Sequence, residues 1–266
     1  MCNIYGRHSG LQLPLSSFII QQTWGITRSV SRERYQIGMD HALVAITDYC
    51  ERIDDSFWAE PLNAVTNLVF LFVAAAQIRA LRQRGEPVSQ TWDLWLLTGL
   101  LGAIGIGSFF WHTFATAWAE LADVIPILLF LSLFLCSFLH RVTKLRISWV
   151  LFWFFLFQAA NILLLWMLPG DLLNGSIFYL PAWSGLLLIA LYCRFTMLGC
   201  SNRLLYAVLV FTLSLAFRTL DQSLCAVWSY GTHFIWHLLN GVTLYIVIGV
   251  FMPKQRTAHQ LHGDTG

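Results

Sequence analysis

Residues 94–114 read LWLLTGLLGAIGIGSFFWHTF, a run free of Asp, Glu, Lys and Arg. A bilayer crossing takes about 20 apolar residues, so the run is read as a membrane span rather than as a helix of a soluble core. Six further apolar segments qualify: Asn63–Ala80, Leu121–His140, Ser148–Leu168, Ile177–Met197, Leu204–Leu220 and Phe234–Met252. The whole chain is 57% hydrophobic and only 11% charged, which leaves little room for a soluble domain. The expected fold is all-α, a seven-transmembrane helical bundle.

The basic residues orient it. Arg79, Arg82 and Arg84 follow the first segment, Arg141, Lys144 and Arg146 the third, Arg194 and Arg203 the fifth, and Lys254 and Arg256 the seventh. Intervening loops carry essentially none, so the positive-inside bias puts the C-terminus in the cytoplasm and the segment before the first span outside. The net charge of +2 reflects this orientation and implies no nucleic-acid surface.

Four regions are expected. Residues 1–38 form a poorly ordered extension, its arginines set against the charge rule, upstream of a natural start at Met39. Residues 39–60 form a short surface helix and an acidic loop. Residues 61–252 form the seven-span domain, entered at a first-turn proline, Pro61. Residues 253–266 form a disordered cytoplasmic tail. Among the six cysteines there is no CxxC pair; Cys50 and Cys225 both fall on the outer side, where a disulfide can persist.

Three histidines lie inside the apolar segments: His112, His233 and His237. Imidazole is costly in a bilayer, and a cluster of them at one depth marks a site. His233 and His237 are four apart, so on a helix both rings point the same way. His112 lies roughly 8 Å short of the outer end of its span, at the depth of His237 and of Asp123. Three protein ligands and one open position make a catalytic zinc site. Asp123, a carboxylate in a span, is suited to take a proton from water and return it to a leaving amine; the bland reading is a partner for a ligand histidine. Ser108, one turn before His112, supports an oxyanion or bonds its own backbone. Phe109, Phe110, Trp111, Phe234 and Trp236 line a cavity or face lipid, and Arg218 with Asp221 forms a structural ion pair or a headgroup site.

Ahead of the first span, DYCERIDDSFWAEPLN holds Asp48, Glu51, Asp54, Asp55 and Glu60. Hard oxygens so dense suit calcium, which takes six to eight of them; a solvated acidic loop is the other reading.

With these residues in view the chain resembles the alkaline ceramidase family, within the seven-span hydrolase superfamily that includes adiponectin-receptor-like proteins. The resemblance covers about residues 39–252 and rests on DYCERIDDSFWAEPLNAVTN, GIGSFFWHTFATAWAELADVIP and THFIWHLLN. It implies zinc on His112, His233 and His237, with Ser108 beside it and Asp123 activating water. It also implies calcium on Asp48, Tyr49, Glu51 and Glu60, with Asp54 supplying a further ligand where the shorter loop shifts it into place. The expected activity is hydrolysis of the N-acyl bond of a ceramide-like membrane lipid to a fatty acid and a sphingoid base, with no required protein partner. The location is a plasma or bacterial inner membrane with the site facing outward, or an endomembrane with it facing the lumen. Competing readings are a lipid-responsive receptor with a structural zinc, a hydrolase of another N-acyl lipid, and a transporter; the last lacks the internal repeats transporters often carry.

Overall fold

A computed structural model of the chain describes residues 48–252, apart from Asp171. The expected N-terminal extension, the tail after residue 252 and most of the expected surface helix lie outside the described residues. Residues 48–60 run as turns and bends.

Eight α-helices follow: α1 Pro61–Thr66, α2 Leu68–Arg84, α3 Val88–Phe114, α4 Ala117–Arg141, α5 Ile147–Met167, α6 Leu180–Phe195, α7 Ser201–Leu224 and α8 His233–Gly249, with a 3₁₀ turn at Ser176–Tyr179 ahead of α6. Among the described residues there is no strand. Taking α1 and α2 as one span interrupted at Asn67, six helices are long and apolar enough to cross a membrane. The seventh expected span, α8, is apolar but only 17 residues long. The molecule is a membrane helical bundle.

Its exposure pattern fits a hydrocarbon solvent. On α5, Trp149, Phe152, Trp153, Phe155, Leu156, Ile162, Leu163 and Trp166 are all exposed, a surface that water would not tolerate but lipid chains cover. The interior is built on α3, where Leu94, Leu97, Leu101 and Ile104 recur at helical spacing and are almost fully buried. They meet Phe130, Phe134 and Phe138 of α4, Leu204, Ala207 and Phe211 of α7 and Val247 and Ile248 of α8 in one core. At one end Arg141 of α4 donates to Asp93 of α3 at 2.6 Å, tying the two helices together.

Near the other end α3 and α4 come very close. Pro126 has no N–H to give the Ala122 carbonyl four residues back. That carbonyl is where Gly107 of α3 rests, so closely that a Cβ at Gly107 would lie 2.0 Å from the Ala122 oxygen. Glycine permits the contact, and the contact sets Ser108 and His112 beside the turn that carries Asp123.

Candidate metal centre

His112 comes from the outer end of α3; His233 and His237 come from the first two turns of α8. All three are buried, at 1–2% exposure. Their candidate ligand atoms lie within 4.8 Å of one another. Ring centroids are 4.8 Å apart for His112 and His237, 4.7 Å for His233 and His237, and 5.1 Å for His112 and His233.

Hydrogen bonding fixes which nitrogens face inward. His112 Nδ1 lies 2.6 Å from Glu60 Oε2, so it carries the proton and donates. Thr66 spends its only hydroxyl proton on the carbonyls one turn back, Leu62 at 2.7 Å and Asn63 at 3.1 Å. Its oxygen therefore accepts from His237 Nδ1, 3.0 Å away. In neutral imidazoles each Nε2 is then a bare lone pair, and the two face each other across 3.2 Å. That arrangement is repulsive unless a cation lies between them. Two Zn–N bonds at a tetrahedral angle hold their nitrogens roughly 3.3 Å apart, so the spacing fits zinc. His233 Nδ1 is buried without a hydrogen-bond partner.

Asp123 lines the same cavity as Ser108, His233 and His237. Its Oδ1 is buried and unpartnered, and Ser108 adjoins the carboxyl. The cavity, about 220 Å³, continues from this polar end between Ile127, Phe130, Phe134, Leu186, Leu244 and Val247. Of the five aromatic residues flanking the histidines, Trp111 and Trp236 border it, whereas Phe109 packs on Phe57 and Trp58. Tyr49 stacks on His233 at 3.9 Å, and burial pushes its phenol pKa far up, keeping it protonated.

Both helix starts at the site are held by carboxylates from elsewhere in the chain. Glu51 accepts from the Leu62 and Asn63 N–H groups of α1 at 2.7 and 2.8 Å. Asp221 accepts from Thr232 and His233 at the start of α8, at 2.6 and 2.9 Å, and from Cys50 N–H at 3.1 Å. Such orphan donors and the positive end of the helix favour an anion. Asp221 is thus engaged here and not with Arg218. Arg218 instead donates to the Asn174 carbonyl at 2.6 Å and lies over the Tyr179 and Trp236 rings. Gly231, at φ +63°, has room for no side chain, since a Cβ would meet Asp221 Oδ1 at 2.1 Å. The short turn so formed brings Cys225 to Cys50, and the two are joined in a disulfide with Cα atoms 5.2 Å apart.

The acidic segment departs from the calcium expectation. Both Glu51 oxygens are spent on α1. Glu60 accepts from Arg52 Nε at 2.5 Å, His112 at 2.6 Å and Asn63 Nδ2 at 3.0 Å. The Tyr49 carbonyl takes the Arg52 N–H at 3.2 Å. Asp54 is exposed and bonds Ser56 at 2.9 Å. Burial works to raise the Glu60 pKa, but His112, Asn63 and Arg52 outweigh it and hold Glu60 below the usual range. Burial raises Glu51 despite its two N–H donors. The oxygens of Glu51 and Glu60 and the Tyr49 carbonyl thus already accept hydrogen bonds, one of them from a guanidinium, an arrangement that does not favour calcium. Arg52 was the signal in the sequence, a lone cation within DYCERIDD. Thr66 carried no signal, because only the packing of α1 on α8 gives it a histidine to orient.

The family model of the ceramidases matches residues 42–262. The chain belongs to the ceramidase family. It is therefore a membrane-embedded hydrolase acting on the amide bond of ceramide. No curated protein matches the chain.

Proposed function

We propose that this ceramidase is zinc-dependent, with His112, His233 and His237 as the ligands, Asp123 as the proton carrier and Ser108 as an oxyanion donor. The observation that supports it most is the pair of Nε2 atoms facing each other at 3.2 Å, beside a cavity that Asp123 enters. Among the described residues the cluster offers three ligands, which leaves a coordination position open as catalytic sites require. Zinc bound there supplies Lewis acidity, polarising the amide carbonyl and making water nucleophilic near neutral pH.

The remaining work falls to side chains. The apolar walls hold the acyl chain and bring the carbonyl to the polar end. Asp123 takes the proton of the attacking water through its free oxygen and hands it to the amine as the C–N bond breaks. The Ser108 hydroxyl, on the cavity wall beside the Asp123 carboxyl, donates to the oxygen that gains charge. Glu60 and Thr66 keep His112 and His237 in the tautomers that present Nε2.

The site faces outside or into a lumen in this reading. The alternation of basic loops supports it, as does a disulfide at this end of the bundle, since such bonds persist in oxidising compartments. At the opposite end Cys193 and Cys200 stay free.

The test is metal analysis of detergent-purified protein with fatty-acid release from a panel of N-acyl lipids. Bound zinc and ceramide turnover are expected in the wild type, both lost in His237→Ala, with turnover alone lost in Asp123→Asn. Full turnover in Asp123→Asn would remove the base role. A panel in which another N-acyl lipid outruns ceramide would reassign the substrate.

A further inference from the structure

The stretch ahead of α1 is acidic in composition, yet a cation sits at its centre. The Arg52 side chain has 0% exposure and its ion-pair partner Glu60 only 2%. Besides Glu60, the guanidinium donates through Nη2 to the His112 backbone carbonyl at 3.0 Å and through Nη1 to the Asp54 carbonyl at 3.3 Å. It therefore holds one metal-ligand residue twice, by its own carbonyl and through the Glu60 carboxylate on its ring. A planar fork with several fixed donors suits that double grip, which an ammonium does not reproduce.

We infer that Arg52 is the built-in counter-ion of this segment: it fills the role of a divalent cation among the carboxylates, fixes Glu60 against His112, and frees the metal centre from calcium. The inference rests on His112 being a zinc ligand, as proposed above. Calcium takes six to eight oxygens. Here each carboxylate oxygen of Glu51 and Glu60, and the Tyr49 carbonyl, already accepts a hydrogen bond. A calcium ion among them would compete with the Arg52 guanidinium and with the N–H groups of α1. Arg52 is thus a positioning residue that acts through Glu60 and does not touch substrate.

Two measurements decide the matter. The first uses zinc-loaded wild type in detergent, titrated with calcium chloride by calorimetry and melted in EGTA or in millimolar calcium. No saturable calcium heat and an unchanged midpoint are expected; saturable binding with a raised midpoint overturns the inference without any variant. The second is zinc affinity by chelator competition in Arg52→Met and Arg52→Lys, with helix content checked by circular dichroism. Loss of a residue that orients a metal ligand typically weakens affinity about 10–100-fold, so Arg52→Met is expected in that range and Arg52→Lys between it and wild type. Wild-type zinc affinity in a folded Arg52→Met overturns the positioning role. A wild type that holds no zinc would defeat the proposed function instead, and the calcium titration keeps the two failures apart.

Discussion

At the scale of single residues, the proposed mechanism gives Asp123 and the histidines separable contributions. Asp123 is not among the three clustered ligands and carries an unpartnered oxygen, so Asp123→Asn is predicted to keep bound zinc while kcat falls about 10²–10⁴-fold, the usual worth of a general base. Parallel metal analysis and single-turnover hydrolysis check this. Glu60 gives a pH prediction. Its folded pKa is lowered, so its contribution to stability is present above the unfolded carboxyl value, about 4.3, and is lost as pH falls through the folded value. Melting midpoints of wild type are predicted to drop on acidification below that point, and the drop is predicted to be shallower in Glu60→Gln. The clustering of the histidines was legible from spacing and depth, because a helix repeat converts positions 233 and 237 into one face. Glu60 was legible only as an acidic oxygen. Whether a carboxylate meets a metal, a guanidinium or an imidazole depends on the segments packed against it, and DYCERIDD states the presence of Arg52 without stating that it folds inward.

At the scale of elements, the site depends on how closely α3 and α4 approach and on how α8 begins. Gly107→Ala places a methyl group against the Ala122 carbonyl at a distance no packing allows, so α3 must shift. Overpacking of this kind costs about 1–3 kcal/mol; the predicted result is a lowered melting midpoint and a larger fall in kcat than in zinc content, since Ser108 and Asp123 separate first. The start of α8 is held by Asp221 and by the Cys50–Cys225 bridge. Removing a disulfide typically costs about 2–4 kcal/mol, so Cys225→Ala is predicted to melt lower, with no additional effect of reducing agent. Six of the seven expected spans are helices long enough to cross a membrane, because lipid demands continuous apolar length; the last is a shorter apolar helix. The break of the first span at Asn67 did not. It arises where Asn67 Nδ2 bonds the Asn63 carbonyl at 2.8 Å and Thr66 turns to His237, and neither contact alters the apolar count.

At the scale of the whole molecule, a bundle with an apolar exterior encloses a polar layer near one end, and the proposed reaction belongs to that layer. His112, His233, His237, Asp123, Arg218 and Asp221 all belong to it. Burying so many ionisable groups is tolerable because most are committed to partners: Asp221 to three N–H groups, Glu60 to Arg52 and His112, Arg218 to Asn174 and two rings. Among the described residues, Asp123 Oδ1 is one of the buried atoms without a hydrogen-bond partner, and Asp123 lines the cavity that the proposed metal and substrate would share. The proposed chemistry requires that metal. Zinc K-edge absorption spectroscopy of the purified protein tests it most directly: three imidazole nitrogens at about 2.0–2.1 Å with one light oxygen are predicted. A zinc-free protein, or a site closed by four protein ligands, would contradict it.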